Sequence, residues 1–461
     1  MDGRPVSAWQ AVVLAAGTGA RMRSALPKPL HPVGGLPIID HVFSALAAAG
    51  HDAPVVVVPR DAGALPAHLA GRARFAVQES PTGTGSALLA AEGSVDKSTG
   101  HVLVMNGDTP LIPPGVIERL MAAHEATGAS MTLLTVENPL QPGLGRILRG
   151  DDGCVEAIVE ERDATPEQRA VNEVNGGLYA LRTQGLWDAL SLPSPAPNGE
   201  LYLTALATLF RARGEIVHAV AADDPRDVIG VNTRDDLALA ETSLQERIRE
   251  RWMLEGVTLV DPSATYIDIG VTLGRDTVVH PNTHLRGCTR IGERCVIGPN
   301  AVIRDSVIGD GCTVVASMLE EATLETGADV GPFSHLRPGA HVGTGAHVGN
   351  FVEIKDSSLG RGVKAGHFSY IGDATVGDGA NIGAGAVTAN YDGAGKRRTE
   401  IEADAFVGSD TVLVAPVRVG KGARTGAGAV VTRDVADGET VVGVPARPID
   451  AGGGDSTEQE R

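Results

Sequence analysis

Aromatic residues are scarce in this 461-residue chain: seven Phe, five Tyr and three Trp, 3% of the total. So few rings fit a thin interior filled by small aliphatic side chains. Cysteine is scarce too. Cys154, Cys288, Cys295 and Cys312 form no C-x-x-C pair, which speaks against a zinc knuckle. In a chain of this size they read as reduced, structural thiols of a cytoplasmic protein. No apolar run approaches the ~20 residues needed to span a bilayer. The stretch from Ala8 to Ala16 is broken by Gln10 and leads into Gly17-Thr18-Gly19-Ala20-Arg21, so it is not the apolar centre of a leader peptide. Basic residues are the minority, 39 against 57 acidic, for a net charge of −18. That balance argues against non-specific binding to nucleic acid or to a membrane surface. Anionic small substrates stay open, because a local cluster of Arg and Lys can reverse the field inside a pocket.

Glycine, by contrast, is abundant at 59 residues, as many tight corners require. The second half also carries a six-residue beat. Leu273, Val279, Leu285, Ile291, Ile297 and Ile303 keep it; it slips, returns at Val330, Leu336, Val342, Val348 and Ile354, and returns again at Ile401, Val407, Leu413, Val419 and Thr425. Neither a 3.6-residue nor a two-residue period holds such positions on one face for long. A short strand, a turn and another short strand do, with one aliphatic side chain per hexapeptide pointing into a shaft. This resembles the left-handed parallel β-helix of the hexapeptide-repeat acyltransferases. The handedness comes from the resemblance alone, since the general crossover rule favours the right-handed form.

Residues 11 to about 231 alternate strand and helix patterns. Ala11 to Leu14, Val55 to Val58, His101 to Met105 and Ala129 to Val136 read as buried strands. Ile39 to Ala49 and Thr84 to Ala91 read as helices. Such alternation predicts a Rossmann-like, mainly parallel sheet with ligands at the strands' C-terminal ends. Asp235 to Glu255 lacks Gly and Pro and reads as one helix. The expected organisation is an α/β domain over 1–231, a helical linker over 232–256, the β-helix over 257–448 and a disordered tail over 449–461.

The α/β domain opens on Leu14-Ala15-Ala16-Gly17-Thr18-Gly19-Ala20-Arg21, followed by Pro27-Lys28-Pro29. Small residues let backbone N–H groups approach a polyphosphate, and Arg21 and Lys28 supply charge for a transferring phosphoryl group. Two features speak against a dinucleotide site: Met22 occupies the third glycine position, and Gly34-Gly35-Leu36-Pro37 breaks the expected second strand. There is no Walker A match.

The spacing from this loop through Arg21 to Lys28 resembles the sugar-1-phosphate nucleotidyltransferases. The resemblance implies a nucleotide site at Leu14, Ala15, Ala16, Gly17 and Lys28, and a uracil-reading segment at Gln78, Gly83 and Thr84. It also implies nucleotide contacts at Asn106 and Gly107, Mg²⁺ held by Asp108 and Asn232, and sugar contacts at Gly145, Glu160 and Asn175. In-line attack of a sugar phosphate on UTP follows, with Arg21 and Lys28 as catalytic cations.

In the repeat region His335-Leu336-Arg337, Asn350-Phe351-Val352-Glu353-Ile354-Lys355, His367-Phe368-Ser369-Tyr370 and Asn381-Ile382-Gly383-Ala384 stand in succession. Asn390-Tyr391-Asp392-Gly393 then opens a segment through Lys396-Arg397-Arg398 that interrupts the beat. Acetyl transfer to an amine needs a base working near neutral pH, a role suited to histidine. These segments resemble the acetyltransferase half of the bifunctional uridylyltransferase/acetyltransferases that make UDP-N-acetylglucosamine for peptidoglycan and the cell wall. The resemblance spans about residues 11 to 448. It implies His367 as general base and a glucosamine-1-phosphate site at Arg337, Lys355, Tyr370 and Asn381. It also implies acetyl-CoA contacts at Ala384, Asn390, Tyr391, Ser409 and Gly426, and a homotrimeric assembly. Lys396-Arg397-Arg398 is either a solvated run or a phosphate contact. Four positions depart from the pattern: Pro81, Asn106, Gly426 and Gly443. The alternative is a single-activity nucleotidyltransferase whose β-helix is only structural.

Overall fold

The computed structural model describes residues 9–96, 98–192 and 199–449. The expected tail, apart from Ile449, lies outside them. The chain divides into two compact units, Met1–Leu244 and Gln245–Arg461.

The main sheet of the first unit is built of β1 (Trp9–Leu14), β2 (Val55–Pro59), β3 (Arg74–Gln78), β4 (His101–Asn106), β5 (Met131–Glu137), β6 (Arg146–Arg149), β7 (Val155–Val159), β8 (Glu173–Arg182) and β9 (Val217–Ala221). Seven of them line up as β9-β5-β8-β4-β1-β2-β3, with β6 and β7 as a hairpin off β8. β1, β2, β3 and β4 run parallel, as do β5 and β9; β8 runs antiparallel to both its neighbours. The continuous apolar runs follow from burial on both faces. Val12, Val55, Val57, Val102 and Val104 pack on one side, and Ala11, Val13, Val56, Val58, Leu103 and Met105 on the other.

Helices cover both faces. α1 (Ile38–Ala48) and α3 (Pro114–Thr127) bury Val42, Leu46, Ile117 and Leu120 against one. α2 (Thr84–Ala90) and α4 (Ala205–Ala212) bury Ala87, Leu88, Leu206 and Phe210 against the other. α3 stops where Gly128 takes φ 61°, a left-handed conformation that glycine adopts without penalty. α5 (Arg234–Leu254) is the helix read from the Gly- and Pro-free segment, and the boundary between the two units falls within it.

The second unit is the left-handed parallel β-helix. Its two- to four-residue strands stack into three walls of 12, 10 and 9 strands. Each residue of the beat is buried, from Leu273 through Ile303 and from Val330 to Thr425. Enclosing each aliphatic side chain contributes roughly 1.5–3 kcal/mol before the entropy of ordering is set against it. The slip in the beat is a change of step. Ile291 pairs with Ile308, Ile303 with Leu319 and Val314 with Val330, so corners shorten while the shaft stays filled. The long interruption is an excursion from one corner: Val376 pairs with Ile401 and Ile382 with Val407, and the stack continues beneath Asn390–Arg398. At its C-terminal end Thr440–Val442 pairs antiparallel with Arg447–Pro448.

Candidate active sites

The first unit gathers its polar residues at strand ends. Leu14, Gln78 and Asn106 are the last residues of β1, β3 and β4. Ala15 N–H donates to the Val57 carbonyl and Gly107 N–H to the Leu14 carbonyl, both at 2.9 Å, which pins the loop after β1 to two strands. A β-carbon at Gly19 would lie 3.0 Å from the Lys28 β-carbon, so the loop lies directly on the lysine. A cavity of about 300 Å³ is lined by Leu14, Ala15, Ala16, Gly17, Lys28, Gln78, Gly83, Thr84, Asn106, Gly107 and Asp108.

Lys28 Nζ stands 2.5 Å from Asp108 Oδ2 and 3.1 Å from Asn232 Oδ1, and Arg21 Nη2 is 3.0 Å from the same Asn232 oxygen. Both side chains of the Lys28–Asp108 pair are largely buried. Losing either partner would leave an unpaired buried charge. Two hard oxygens, one carboxylate and one carboxamide, therefore converge on a point that already holds positive charge. That donor set fits Mg²⁺, which takes one or two protein oxygens and leaves room for phosphate and water.

Asn232 is held by residues the sequence reading missed. Gln141 donates to the Gly230 carbonyl at 3.0 Å, accepts from Gly230 N–H at 2.6 Å and donates to Asp236 Oδ1. Asp236 Oδ2 accepts from the N–H groups of Asn232 and Thr233. Thr233-x-x-Asp236 before a helix is a capping signature, and that signal was available in the sequence.

Gln78 Nε2 donates to the Gly83 carbonyl at 3.1 Å and to Ser86 Oγ at 2.7 Å. Gly83 has φ 118°, and a β-carbon there would lie 2.4 Å from the Leu201 carbonyl oxygen. Only glycine fits. A second cavity of about 170 Å³ shares Thr84, Asn106 and Asp108 with the first and adds Gly145, Glu160, Asn175, Gly177, Tyr179 and Asn232. Here Glu160 accepts from Thr204 Oγ1 at 2.7 Å, and Asn175 Nδ2 donates to Tyr179 Oη at 2.6 Å. Burial, with Glu160 acting in the same sense, pushes the Tyr179 phenol above its ordinary range and keeps it neutral. Arg146 turns to Glu161 at 3.0 Å. The expected nucleotide, metal and sugar residues thus form two adjoining pockets that meet at Asp108.

In the β-helix His367 ends a strand directly above Asn350, and its Nδ1 lies 2.6 Å from Asn350 Oδ1. A carboxamide oxygen only accepts, so this assignment puts the hydrogen on Nδ1 and leaves the Nε2 lone pair free. Small residues stack beyond the histidine. Gly385 N–H donates to the His367 carbonyl, Asp410 N–H to Ala384 and Gly428 N–H to Ser409. His367, Ala384 and Ser409 therefore occupy one corner of successive coils, with Gly426 beside the next step. A column without bulk leaves space for a long ligand. Gly426, read as a departure from the pattern, has a local reason: a β-carbon would meet Val442 Cγ1 at 2.8 Å.

Arg337 follows the strand His335–Leu336, Lys355 ends the strand paired with it, and Tyr370 stacks on Glu353 of the coil below. Arg337 bonds Glu353 at 2.8 Å, and Lys355 stands 3.8 Å from Asp373. Tyr370 Oη accepts from Asn390 Nδ2 at 3.3 Å. Asn381 lies in the His367 wall, between Lys364 and Phe406. Tyr391 is exposed at the start of the excursion. Among the described residues no hydrogen bond or ion pair joins His367 to Arg337, Lys355 or Tyr370. His367 and Asn381 lie on one wall, and Lys355 and Tyr370 on the next.

Comparison with known proteins matches residues 11–172 to the MobA-like NTP transferase domain. Residues 270–305 match the bacterial transferase hexapeptide repeat, and 398–433 the hexapeptide repeat of succinyl-transferase. The "Bifunctional protein GlmU" of Heliobacterium modesticaldum is 45% identical over 433 residues, 94% of either chain. That of Mycobacterium bovis is 44% identical over 449 residues, covering 95% of this chain and 91% of the relative. That of an Exiguobacterium species is 45% identical over 426 residues, covering 92% and 94%.

The chain belongs to the GlmU family. As a member of that family it is a bifunctional transferase, with uridylyltransferase and acetyltransferase activities. The alternative of a single activity with a merely structural β-helix is set aside. The GlmU alignments cover 94% of the chain and so run through both units.

Proposed function

We propose that the β-helix acetylates glucosamine-1-phosphate with acetyl-CoA and that the α/β unit then joins the product to UTP, giving UDP-N-acetylglucosamine and pyrophosphate. In the first step the sugar amine attacks the thioester carbonyl. His367 Nε2 takes the amine proton, and the CoA sulfur leaves. Arg337, Lys355, Tyr370 and Asn381 bind the sugar phosphate, and Ala384, Asn390, Tyr391, Ser409 and Gly426 line the CoA path. In the second step a phosphate oxygen of the product attacks the α-phosphorus of UTP, and the bond to pyrophosphate breaks. Arg21 and Lys28 draw charge off the polyphosphate, Gln78, Gly83 and Thr84 hold the base, and Gly145, Glu160 and Asn175 hold the sugar. Asp108 and Asn232 would hold Mg²⁺, which when bound neutralises phosphate charge. The observation that carries the reading is the convergence of Arg21, Lys28, Asp108 and Asn232 at the junction of the two pockets.

The acetyl-transfer site is completed by further copies of the chain in a homotrimer. What supports this is an exposed aromatic ladder next to His367. Phe333, Phe351 and Phe368 are 62%, 50% and 61% exposed. Their rings stack at 5.4 and 5.2 Å. All three have positive φ, a conformation costing a non-glycine residue roughly 1–2 kcal/mol. Strained, stacked, solvent-facing phenyl rings are a docking surface. The enzyme works in the cytoplasm, supplying a precursor for peptidoglycan and the cell wall.

One experiment tests the reading. The full chain receives glucosamine-1-phosphate, acetyl-CoA, UTP and Mg²⁺, and CoA thiol and pyrophosphate are followed separately. His367→Ala should lose thiol release yet still release pyrophosphate from supplied N-acetylglucosamine-1-phosphate; Asp108→Asn should do the reverse. Thiol release near the wild-type rate in His367→Ala would overturn the assigned base.

A further inference from the structure

Asp373 has no place in the assignments above, yet it sits where three parts of the acetyl-acceptor site meet. It is 6% exposed, and its backbone takes φ 50°. Asp tolerates that conformation better than most residues, and Asn does so equally. Its N–H donates to the Lys355 carbonyl at 3.0 Å, and its carbonyl accepts from Thr399 N–H at 3.1 Å. Thr399 is the first residue of the strand that resumes the wall after the excursion. The carboxylate Oδ2 takes a short hydrogen bond from Asn390, the residue that opens the excursion, and stands 3.8 Å from Lys355 Nζ. One residue thus ties both ends of the Asn390–Arg398 segment to the coil that carries Lys355.

The absence of a side chain at the preceding position makes this convergence possible. A β-carbon at Gly372 would lie 2.3 Å from Tyr370 Oη and 2.7 Å from Asn390 Nδ2. The electrostatics point the same way. Tyr391 bridges to Lys396, and Arg397 N–H donates to the Asn390 carbonyl, which folds the segment back on itself. Lys396 is thereby brought beside Lys355, whose ammonium pulls it below the ordinary lysine range; Asp373 and Tyr370 oppose that shift. Two like charges brought together destabilise one another unless a counter-charge stands between them. Asp373, paired with Lys355 at 3.8 Å, supplies counter-charge to this pair.

We infer that Asp373 is a positioning residue for acetyl transfer: it anchors the Asn390–Arg398 segment and holds the Lys355 and Lys396 ammoniums together as a seat for the acceptor's phosphate. The inference rests on the acetyltransferase reading given above. A carboxylate alone at this point would repel a phosphate. Paired with Lys355 and acting on Lys396 through its charge, it offsets one of the two ammoniums and leaves a net positive face.

The test uses the full-length enzyme and Asp373→Asn, which keeps the shape and the tolerated φ while removing the charge. For acetyl transfer, KM for glucosamine-1-phosphate should rise at least tenfold, with kcat within about threefold and KM for acetyl-CoA unchanged. Pyrophosphate release should match wild type. The deciding readout is the background of Lys396→Ala. With one ammonium gone, Asp373→Asn should raise KM no more than about twofold over Lys396→Ala alone. An equal KM effect in both backgrounds would reduce Asp373 to a structural residue and overturn the inference, as would an unchanged KM in the single variant. If the wild type itself releases no thiol, the acetyltransferase reading fails instead, and the two failures are distinguishable.

Discussion

Asn350 offers the sharpest handle on the acetyl-transfer chemistry. It lies one coil below His367 in paired register, and its Oδ1 reaches Nδ1 at 2.6 Å. When Nε2 accepts the amine proton the ring becomes a cation, and the hydrogen bond to Asn350 becomes charge-assisted. Such bonds are worth about 1.5–3 kcal/mol. Removing one by Asn350→Ala should therefore lower kcat for acetyl transfer about 10- to 150-fold. The loss arises as charge develops, so KM for either substrate should stay within about twofold. Asn350→Asp retains an acceptor and should keep most of the rate. The assay is thiol release at saturating glucosamine-1-phosphate and acetyl-CoA, with pyrophosphate release as an internal control. An Asn350→Ala enzyme with kcat within twofold of wild type would refute the reasoning, because His367 would then need no orienting acceptor.

Two further outcomes follow from the α/β unit. His124 is enclosed, its Nδ1 meets Thr132 Oγ1 at 2.9 Å and its Nε2 finds no partner among the described residues. Burial pushes its pKa down to about 4, with His101 and Arg182 acting in the same sense and Glu125 against. The unfolded chain therefore takes up this proton first as pH falls. The stabilising effect is full above about pH 6.5 and is lost progressively toward pH 4, by up to about 3 kcal/mol. Trp9 stacks on His101 at 4.8 Å and meets His124 edge-on at 5.5 Å, so its fluorescence should follow urea unfolding of this unit. The urea midpoint should drop between pH 6.5 and 5 in wild type and markedly less in His124→Gln; equal slopes would rule the histidine out. Separately, Gly83→Ala places a β-carbon against the Leu201 carbonyl at a φ open only to glycine. It should cut uridylyl kcat/KM at least 100-fold while acetyl transfer persists, and near-normal uridylyl transfer would show that the segment is not rigid.

Much of this was legible in the chain itself, for reasons that can be located. A shaft that admits one aliphatic side chain per hexapeptide writes its period directly into the sequence, so Leu273 to Ile303 could be read without coordinates. The corners that shorten between Ile303 and Val330 defeat a fixed period, although Ile308, Val314, Leu319 and Leu324 fill the same shaft. The phosphate loop was readable because small residues, Arg21 and Lys28 lie close together in sequence. Asn232 could be singled out only through resemblance; its supports, Gln141 and Asp236, come from two distant segments, and only folding brings them together. Asp373 was silent for a similar reason. An acidic residue after a glycine reads as a turn, and nothing local reveals that its carboxylate lies between Asn390 and Lys355.

The reversed strand at the C-terminal rim has a consequence for the end of the column. A column of parallel coils is open-ended, and its last rung offers unpaired backbone groups on which another chain could continue the ladder. Where Arg447–Pro448 turns back along Thr440–Val442, the outermost strand runs the wrong way for such growth. It ends in a proline with no N–H to donate. That hairpin caps one of the three walls against further parallel growth.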